Sequence, residues 1–363
     1  MEKPTSPHVI VIGGGIVGAS IAWHLAHETT VTVVAEDIGG PATTASFAWL
    51  NASSASQKFY YEFRCRSLQR WKEIHQEIPG MPITWSGSLN WQKPTDKRIA
   101  IGDNLNIWGY DVVRMDHADI SKSEPRINKD ILPDWGLRYP VEGAIEADVA
   151  ARQFIAAAEA KGKAKLIKAT VKSFCRSAGQ ITGVTLSSGQ EIYGDHVVVA
   201  AGIGSVSLLA TENIAIPVTP VPALIVNSKP TQERLLNKLI NSKYLYMRQT
   251  RYGVIRAGCE NPGDSPGEDP EKTARDVFSK LQQSLVGGNK LEFDYYTVGL
   301  KPTPEGGLPI IGPTGIEGVS IAVMHSGVTN AAIVGELLSR QILTGEAEPL
   351  LSHFRLDRFA KPL

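Results

Sequence analysis

The chain has 363 residues, 42 % of them hydrophobic and 20 % charged, and its 37 basic and 37 acidic side chains cancel to a net charge of zero. That length supports a large core and two domains, and the balanced charge gives no pull toward nucleic acid or an anionic membrane surface. No apolar run approaches the ~20 residues that span a bilayer. Residues 1–7 are short and polar, without the features of a signal peptide. Three widely spaced cysteines (Cys65, Cys175, Cys259), none in a CxxC pair, point to a reducing cytoplasm and away from a disulfide framework or a zinc site.

Residues 9–12 (VIVI) read as a buried strand running into a glycine turn, Gly13-Gly14-Gly15-Ile16-Val17-Gly18. An amphipathic helix over 19–26 and a second strand over 31–35, ending on Glu36, follow. Each part has a physical task. Gly13 permits the tight turn, Gly15 removes the Cβ that would block a pyrophosphate, and Gly18 lets helix and strand pack closely. The helix N-terminus offers N–H groups and a positive dipole end to the phosphates. Glu36, 23 residues after Gly13, is placed to accept hydrogen bonds from a ribose diol. This order of parts predicts an adenine dinucleotide site.

Residues 38–51 (IGGPATTASFAWLN) read as a loop. Its short hydroxyls, Thr43, Thr44 and Ser46 around Ala45, suit hydrogen bonding to phosphate without adding charge, or an ordinary ST turn. A long helix over 57–78 ends at Pro79-Gly80, and 83–144 reads as short, Trp-rich strands broken by Pro and Gly. Asp148 opens an Ala-rich helix over 149–160. Three strands (169–174, 180–186, 191–193) with Gly-containing turns come next, then a buried strand over 196–201 that stops at Gly202. Residues 218–293 return to strands plus one helix over 270–285. Alternation in the strand reading 244–248 puts Tyr244, Tyr246 and Arg248 on one face. The tail has a Gly/Pro-rich loop, a strand over 319–324, a glycine turn and a helix over 331–343. The class is therefore α/β: a nucleotide domain assembled from 1–82, 145–217 and 299–363, with a β-rich (α+β) domain, 83–144 and 218–298, inserted twice.

Four stretches carry a family resemblance: GGGIVGASIAWHLA (13–26), PATTASFAWLNA (41–52), VVVAAGIGS (197–205), and VGLKPTPEGGLPIIGPT with VSIAVMHSGVTNAA (298–314, 319–332). In order and spacing they resemble the glycine oxidase / D-amino acid oxidase family of FAD-dependent oxidoreductases. The resemblance implies a Rossmann-like FAD-binding domain with an inserted substrate domain, and oxidation of a C–N bond by hydride transfer to FAD. It places the ADP half of FAD at Gly13, Gly15, Ile16, Val17 and Gly18 and on the 43–46 segment. The resemblance also implies that adenine pairs with the main chain of Val171 and that adenosine lies against Ala201 and Gly202. The helix start at Gly327, Val328, Thr329 and Asn330 would stabilise negative charge on the reduced flavin. His325, just before it, is either a flavin contact or a packed, hydrogen-bonded histidine.

On the substrate side the resemblance puts Lys301 where the family carries a carboxylate-gripping arginine; lysine keeps the charge and loses the planar fork. Tyr244 and Tyr246 resemble the family's tyrosine-bearing strand over the flavin. Arg248 is a second candidate for the carboxylate, or else a surface arginine on a half-buried strand. Arg256 falls roughly where sarcosine oxidases place a lysine that helps oxygen react. The neighbourhood 294–297 has no cysteine, so the FAD is expected to be non-covalent. The expected activity is oxidation of an amino acid or secondary amine bearing a carboxylate, giving an imine that hydrolyses. Electrons would go to oxygen or, in the dehydrogenase alternative, to a quinone-type carrier; a non-catalytic flavoprotein subunit is the other reading, and a homo- or hetero-oligomer is compatible with each. Such chemistry needs positioning rather than an acid–base pair.

Overall fold

The structure, a computed structural model, describes residues 7–259 and 266–360. Nearly all of the polar 1–7 segment thus lies outside the described residues. Two large sheets organise the chain. The first has six strands in the order Ile310–Pro313, Val319–Val323, His196–Val199, His8–Ile12, Thr30–Ala35 and Ala164–Lys168. All its pairings are parallel except that of Ile310–Pro313. Parallel strands are buried on both faces, and side-chain alternation divides them. Val9, Val11, Val31 and Val33 face the helices, while Ile10, Ile12 and Val34 face the antiparallel sheet Val171–Ser177, Gln180–Leu186 and Glu191–Tyr193. On the helical side Ile16–Leu25 packs between Ala147–Ala160 and Gly327–Thr344, and the long helix Lys58–Glu77 lies against the last of these.

The second sheet has eight strands: Phe293–Pro304, Val218–Ser228, Ile255–Gly258, Tyr246–Gln249, Leu239–Asn241, Ser88–Asn90, Trp135–Tyr139 and Val113–Asp116. One face is apolar (Leu89, Leu224, Val226, Ile240, Met247, Ile255, Ala257) and is covered by the helix Pro270–Ser284 through Ala274, Val277, Phe278 and Leu281. Asp269 caps that helix by accepting the Lys272 N–H at 3.0 Å. Alternation turns Asn227, Tyr246, Arg248 and Arg256 to the other face, toward the first sheet. The edge strand Phe293–Pro304 runs through position 299, where the sequence reading sets a boundary.

Several elements differ from expectation. The 83–144 region, read as strands, holds the helices Thr95–Ile107 and His117–Ser123. Only three residues of the first are buried, and Ile99 and Ile107 are exposed, so it shows no apolar stripe. The strand Ala164–Lys168, a lysine-bearing edge, was not expected. The 38–51 segment contains a short helix, Gly40–Thr44, and the strand Trp49–Leu50. The last helix begins at Gly327, four residues before its apolar pattern does.

Candidate cofactor and substrate site

The glycine turn does what its spacing requires, but the three glycines answer to different neighbours. A Cβ on Gly13 (φ +115°) would sit 2.4 Å from the Ala200 carbonyl oxygen, and one on Gly18 would sit 2.1 Å from that of Gly13. Both are fixed by protein packing. Gly15 is different: its φ is −67°, and a Cβ there would meet only the Thr43 hydroxyl at 3.3 Å and the Gly39 carbonyl at 3.6 Å. The protein itself does not demand a glycine at 15, whereas a phosphate seated on the helix start would, and in this respect the cradle fits a dinucleotide.

The surrounding residues close around that point. Thr43 is buried and its hydroxyl accepts the Ile16 N–H at 3.1 Å, while Thr44 is exposed. The Ser46 hydroxyl accepts the Ala48 N–H at 2.9 Å, which is the ST-turn geometry and fits Ala48 at φ +58°. Glu36 is exposed at its strand end and accepts the Thr170 hydroxyl at 2.5 Å, which draws it beside Val171. Ala201 and Gly202 are half-buried where the strand His196–Val199 ends, against Gly13.

The N-terminus of the last helix converges on the same point. A Cβ on Gly327 would lie 3.2 Å from Val17 Cγ2. The Thr329 hydroxyl donates to the Trp49 carbonyl at 2.9 Å, the Asn330 amide donates to the Tyr60 hydroxyl at 3.0 Å, and the Trp71 indole N–H reaches the Val328 and Thr329 carbonyls at 3.1 Å. Thr329 and Asn330 therefore anchor the helix start through their side-chain donors, while the Asn330 N–H is spent on the Ser326 carbonyl at 3.1 Å and its Oδ1 is buried without a partner. His325 is half-buried, its Nδ1 2.9 Å from the Ser326 hydroxyl.

The substrate candidates separate on inspection. Arg248 is neither a surface arginine nor an open carboxylate anchor, which corrects both readings. It is 2 % exposed and grips Glu146 bidentately at 2.9 and 3.0 Å, while also donating to the Phe47 carbonyl at 2.7 Å and the Ile145 carbonyl at 3.3 Å. Tyr244 and Tyr246 do not share a strand. Tyr244 is exposed in a turn capped by the Ser242 hydroxyl, while Tyr246 starts the strand and meets Phe47 edge-on at 4.7 Å. Arg256, half-buried, donates to the Ser46 carbonyl at 3.0 Å. Lys301 is half-buried, and Gly299, two residues before it on the same face, lies so close to Ala45 that a Cβ would stand 2.8 Å from the alanine's.

Two acids were not singled out from sequence. Glu146, before the helix Ala147–Ala160, is the partner of Arg248. Glu142 is fully buried and accepts from the Trp49 indole at 2.9 Å, the Ser88 hydroxyl at 2.6 Å, the Tyr110 hydroxyl at 3.0 Å and the Ser53 N–H at 3.3 Å. Burial pushes its carboxyl above the usual carboxylate range, against the opposing pull of the donors from Ser53, Ser88 and Tyr110. The signal was present: Glu142 and Glu146 stand in the otherwise apolar run VEGAIEA, residues 141–147.

Comparison with known proteins decides the family. The profile of the DAO family, described as FAD dependent oxidoreductase, matches residues 8–341. The chain belongs to this family. It is thus an FAD-dependent oxidoreductase. A glycine oxidase of Bacillus licheniformis is 28 % identical over 350 residues, 92 % of each chain. A bifunctional ThiO/ThiG protein of Trichormus variabilis is 26 % identical over 381 residues, 97 % of this chain but 55 % of that one. The chain therefore spans about half the length of the bifunctional relatives it matches. An L-proline dehydrogenase from P. horikoshii shares the fold, with a TM-score of 0.85, 24 % identity and 98 % coverage of both chains. Among the described residues, no helix is long and apolar enough to cross a membrane.

Proposed function

We propose that this DAO-family chain oxidises the C–N bond of an amino acid or N-alkyl amino acid, giving an imine that water hydrolyses. The observation that carries this reading is the seat of Gly299 on Ala45: it lays the strand of Lys301 across the cofactor segment, with Lys301 on the same face. Non-covalently bound FAD supplies the hydride acceptor. The N–H groups at the start of Ile16–Leu25 and the Thr43 hydroxyl hold the pyrophosphate, Glu36 the ribose, and the Val171 main chain the adenine. Lys301 holds the substrate carboxylate as a point charge, and Tyr246 lines the same cleft beside Phe47. The residues of 1–82, 145–217 and 299–363 serve as the FAD-binding domain, those of 83–144 and 218–298 as the substrate domain. The relatives named as glycine oxidases support the amino-acid reading. Free thiols at Cys65 and Cys175 favour a cytoplasmic setting.

The test is Lys301→Met. It should raise the apparent substrate dissociation constant by ~10- to 100-fold, the loss of one charge-assisted bond, with the spectrum of bound FAD little changed. Lys301→Arg should retain or improve binding. If Lys301→Met binds every amino acid as tightly as the wild type, the carboxylate contact lies elsewhere. Oxygen is the proposed acceptor, so turnover in air should yield one hydrogen peroxide per amine oxidised; its absence, with turnover restored by a quinone, would reassign the chain as a dehydrogenase.

A further inference from the structure

The sheet face that meets the cofactor segment is polar, and its charges do not balance. Cross-strand register sets Asn227 opposite Arg256 and Arg256 opposite Arg248, so one amide and two guanidinium groups stand in a row. Glu146 neutralises Arg248. Arg256 has no such counter-charge: among the described residues it makes no ion pair, its Nη1 is spent on the Ser46 carbonyl, and its Nε is buried without a partner. Asn227 is 1 % exposed and its Oδ1 is likewise unpartnered. In the next row Asn241, 5 % exposed and opposite Tyr246, has another orphaned Oδ1. Buried polar atoms are almost always paired in folded proteins. Three orphans on one face of one sheet therefore mark a place completed by something the chain does not supply.

We propose that Arg256, with the Asn227 amide beside it, is a second acid-recognition subsite, and that the substrate is an amino acid with an anionic group remote from its α-carboxylate: an acidic amino acid or an N-(carboxyalkyl) amino acid. With Nη1 held by Ser46, the side-on Nε/Nη2 edge of the guanidinium is left to grip a carboxylate in the two-bond geometry that arginine favours. A half-turn of the Asn227 amide exchanges oxygen for N–H at the same place, so the orphan serves an anion equally well. This inference rests on the proposed function, which gives the α-carboxylate to Lys301. Lys301 pairs with Val221 and Arg256 with Asn227, six residues along one strand and on one face. That is about 20 Å of backbone, a gap suited to an elongated diacid held between two long cationic side chains. Glycine would meet only one of them.

The experiment is anaerobic reduction of the holoenzyme by amino acids matched in length, one of each pair ending in a methyl group and the other in a carboxylate, as both enantiomers and as N-alkyl and N-carboxyalkyl forms. The acidic member should bind at least about tenfold more tightly, the share of one charge-assisted contact. Arg256→Met should shrink that ratio to within about twofold, and Arg256→Lys should restore part of it. Asn227→Ala should lower the ratio as well, and it carries the test should Arg256→Met fail to fold. Equal or tighter binding of the methyl-ended members by the wild type would overturn the proposal, as would an Arg256→Met variant that keeps the preference and only re-oxidises more slowly in air. Reduction by the methyl-ended members alone would remove this subsite and leave the proposed function standing; reduction by none would remove both.

Discussion

At the level of single residues, Gly15 separates cofactor binding from folding. Its backbone is ordinary and its surroundings leave room for a methyl group if Thr43 yields a few tenths of an ångström. Gly15→Ala should therefore fold, with an apoprotein melting temperature close to wild type, yet bind FAD at least about 100-fold more weakly, because the methyl group takes the pyrophosphate's place. Gly18→Ala, whose Cβ would stand 2.1 Å from the Gly13 carbonyl, should fail to fold at all. FAD should raise the melting temperature of the wild type and not that of Gly15→Ala, since only a bound ligand stabilises by mass action. Glu142 gives a pH signature. Its folded-state pKa lies above its unfolded value, so between the two the folded protein holds the extra proton and stability falls as pH rises through that window. Melting temperature against pH from ~4.5 upward should decline less steeply in Glu142→Gln than in the wild type; identical slopes would show that Glu142 titrates as an ordinary carboxylate.

Among the elements, the ion pair of Arg248 and Glu146 joins a strand of the eight-stranded sheet to the start of the helix Ala147–Ala160, with the Phe47 carbonyl held between them. Both partners are almost fully buried, so Arg248→Met strands a carboxylate and should cost about 3–5 kcal/mol. Removing both charges (Arg248→Met with Glu146→Gln) should cost less than the single change, a coupling that thermal or denaturant unfolding of the four proteins would measure. The same region shows what sequence could and could not reveal. The strand–turn–helix at residues 8–25 was legible because burial on both faces gives an uninterrupted apolar run and the turn needs glycine. The helix Pro270–Ser284 was legible from its apolar stripe and its Asp269–Pro270 start. Thr95–Ile107 was not, because a helix that buries three residues has no stripe to read. Arg248 was misjudged because its partner lies 102 residues away, and pairing across two sheets leaves no local trace. Tyr244 was placed on a strand because alternation continued on paper past the Ser242 turn that breaks it.

For the molecule as a whole, a cofactor cradle built on one sheet faces a polar wall built on the other. The 45–48 segment joins them, tied to the wall through the Ser46 and Phe47 carbonyls and through Gly299. In the proposed function this arrangement would bring the Lys301 cation to the bound flavin and ask for no acid–base group, because an uncharged amine gives up its α-hydride once the C–H bond is aligned. The most direct measurement is anaerobic titration of the FAD-loaded protein with amino acids and N-alkyl amino acids, following the flavin's visible absorption and the ammonia or amine released. At least one member of the panel should bleach the flavin completely, with one equivalent of ammonia or amine released per flavin. A fully loaded protein that stays yellow with every member would contradict the account and leave the chain a flavoprotein without this chemistry.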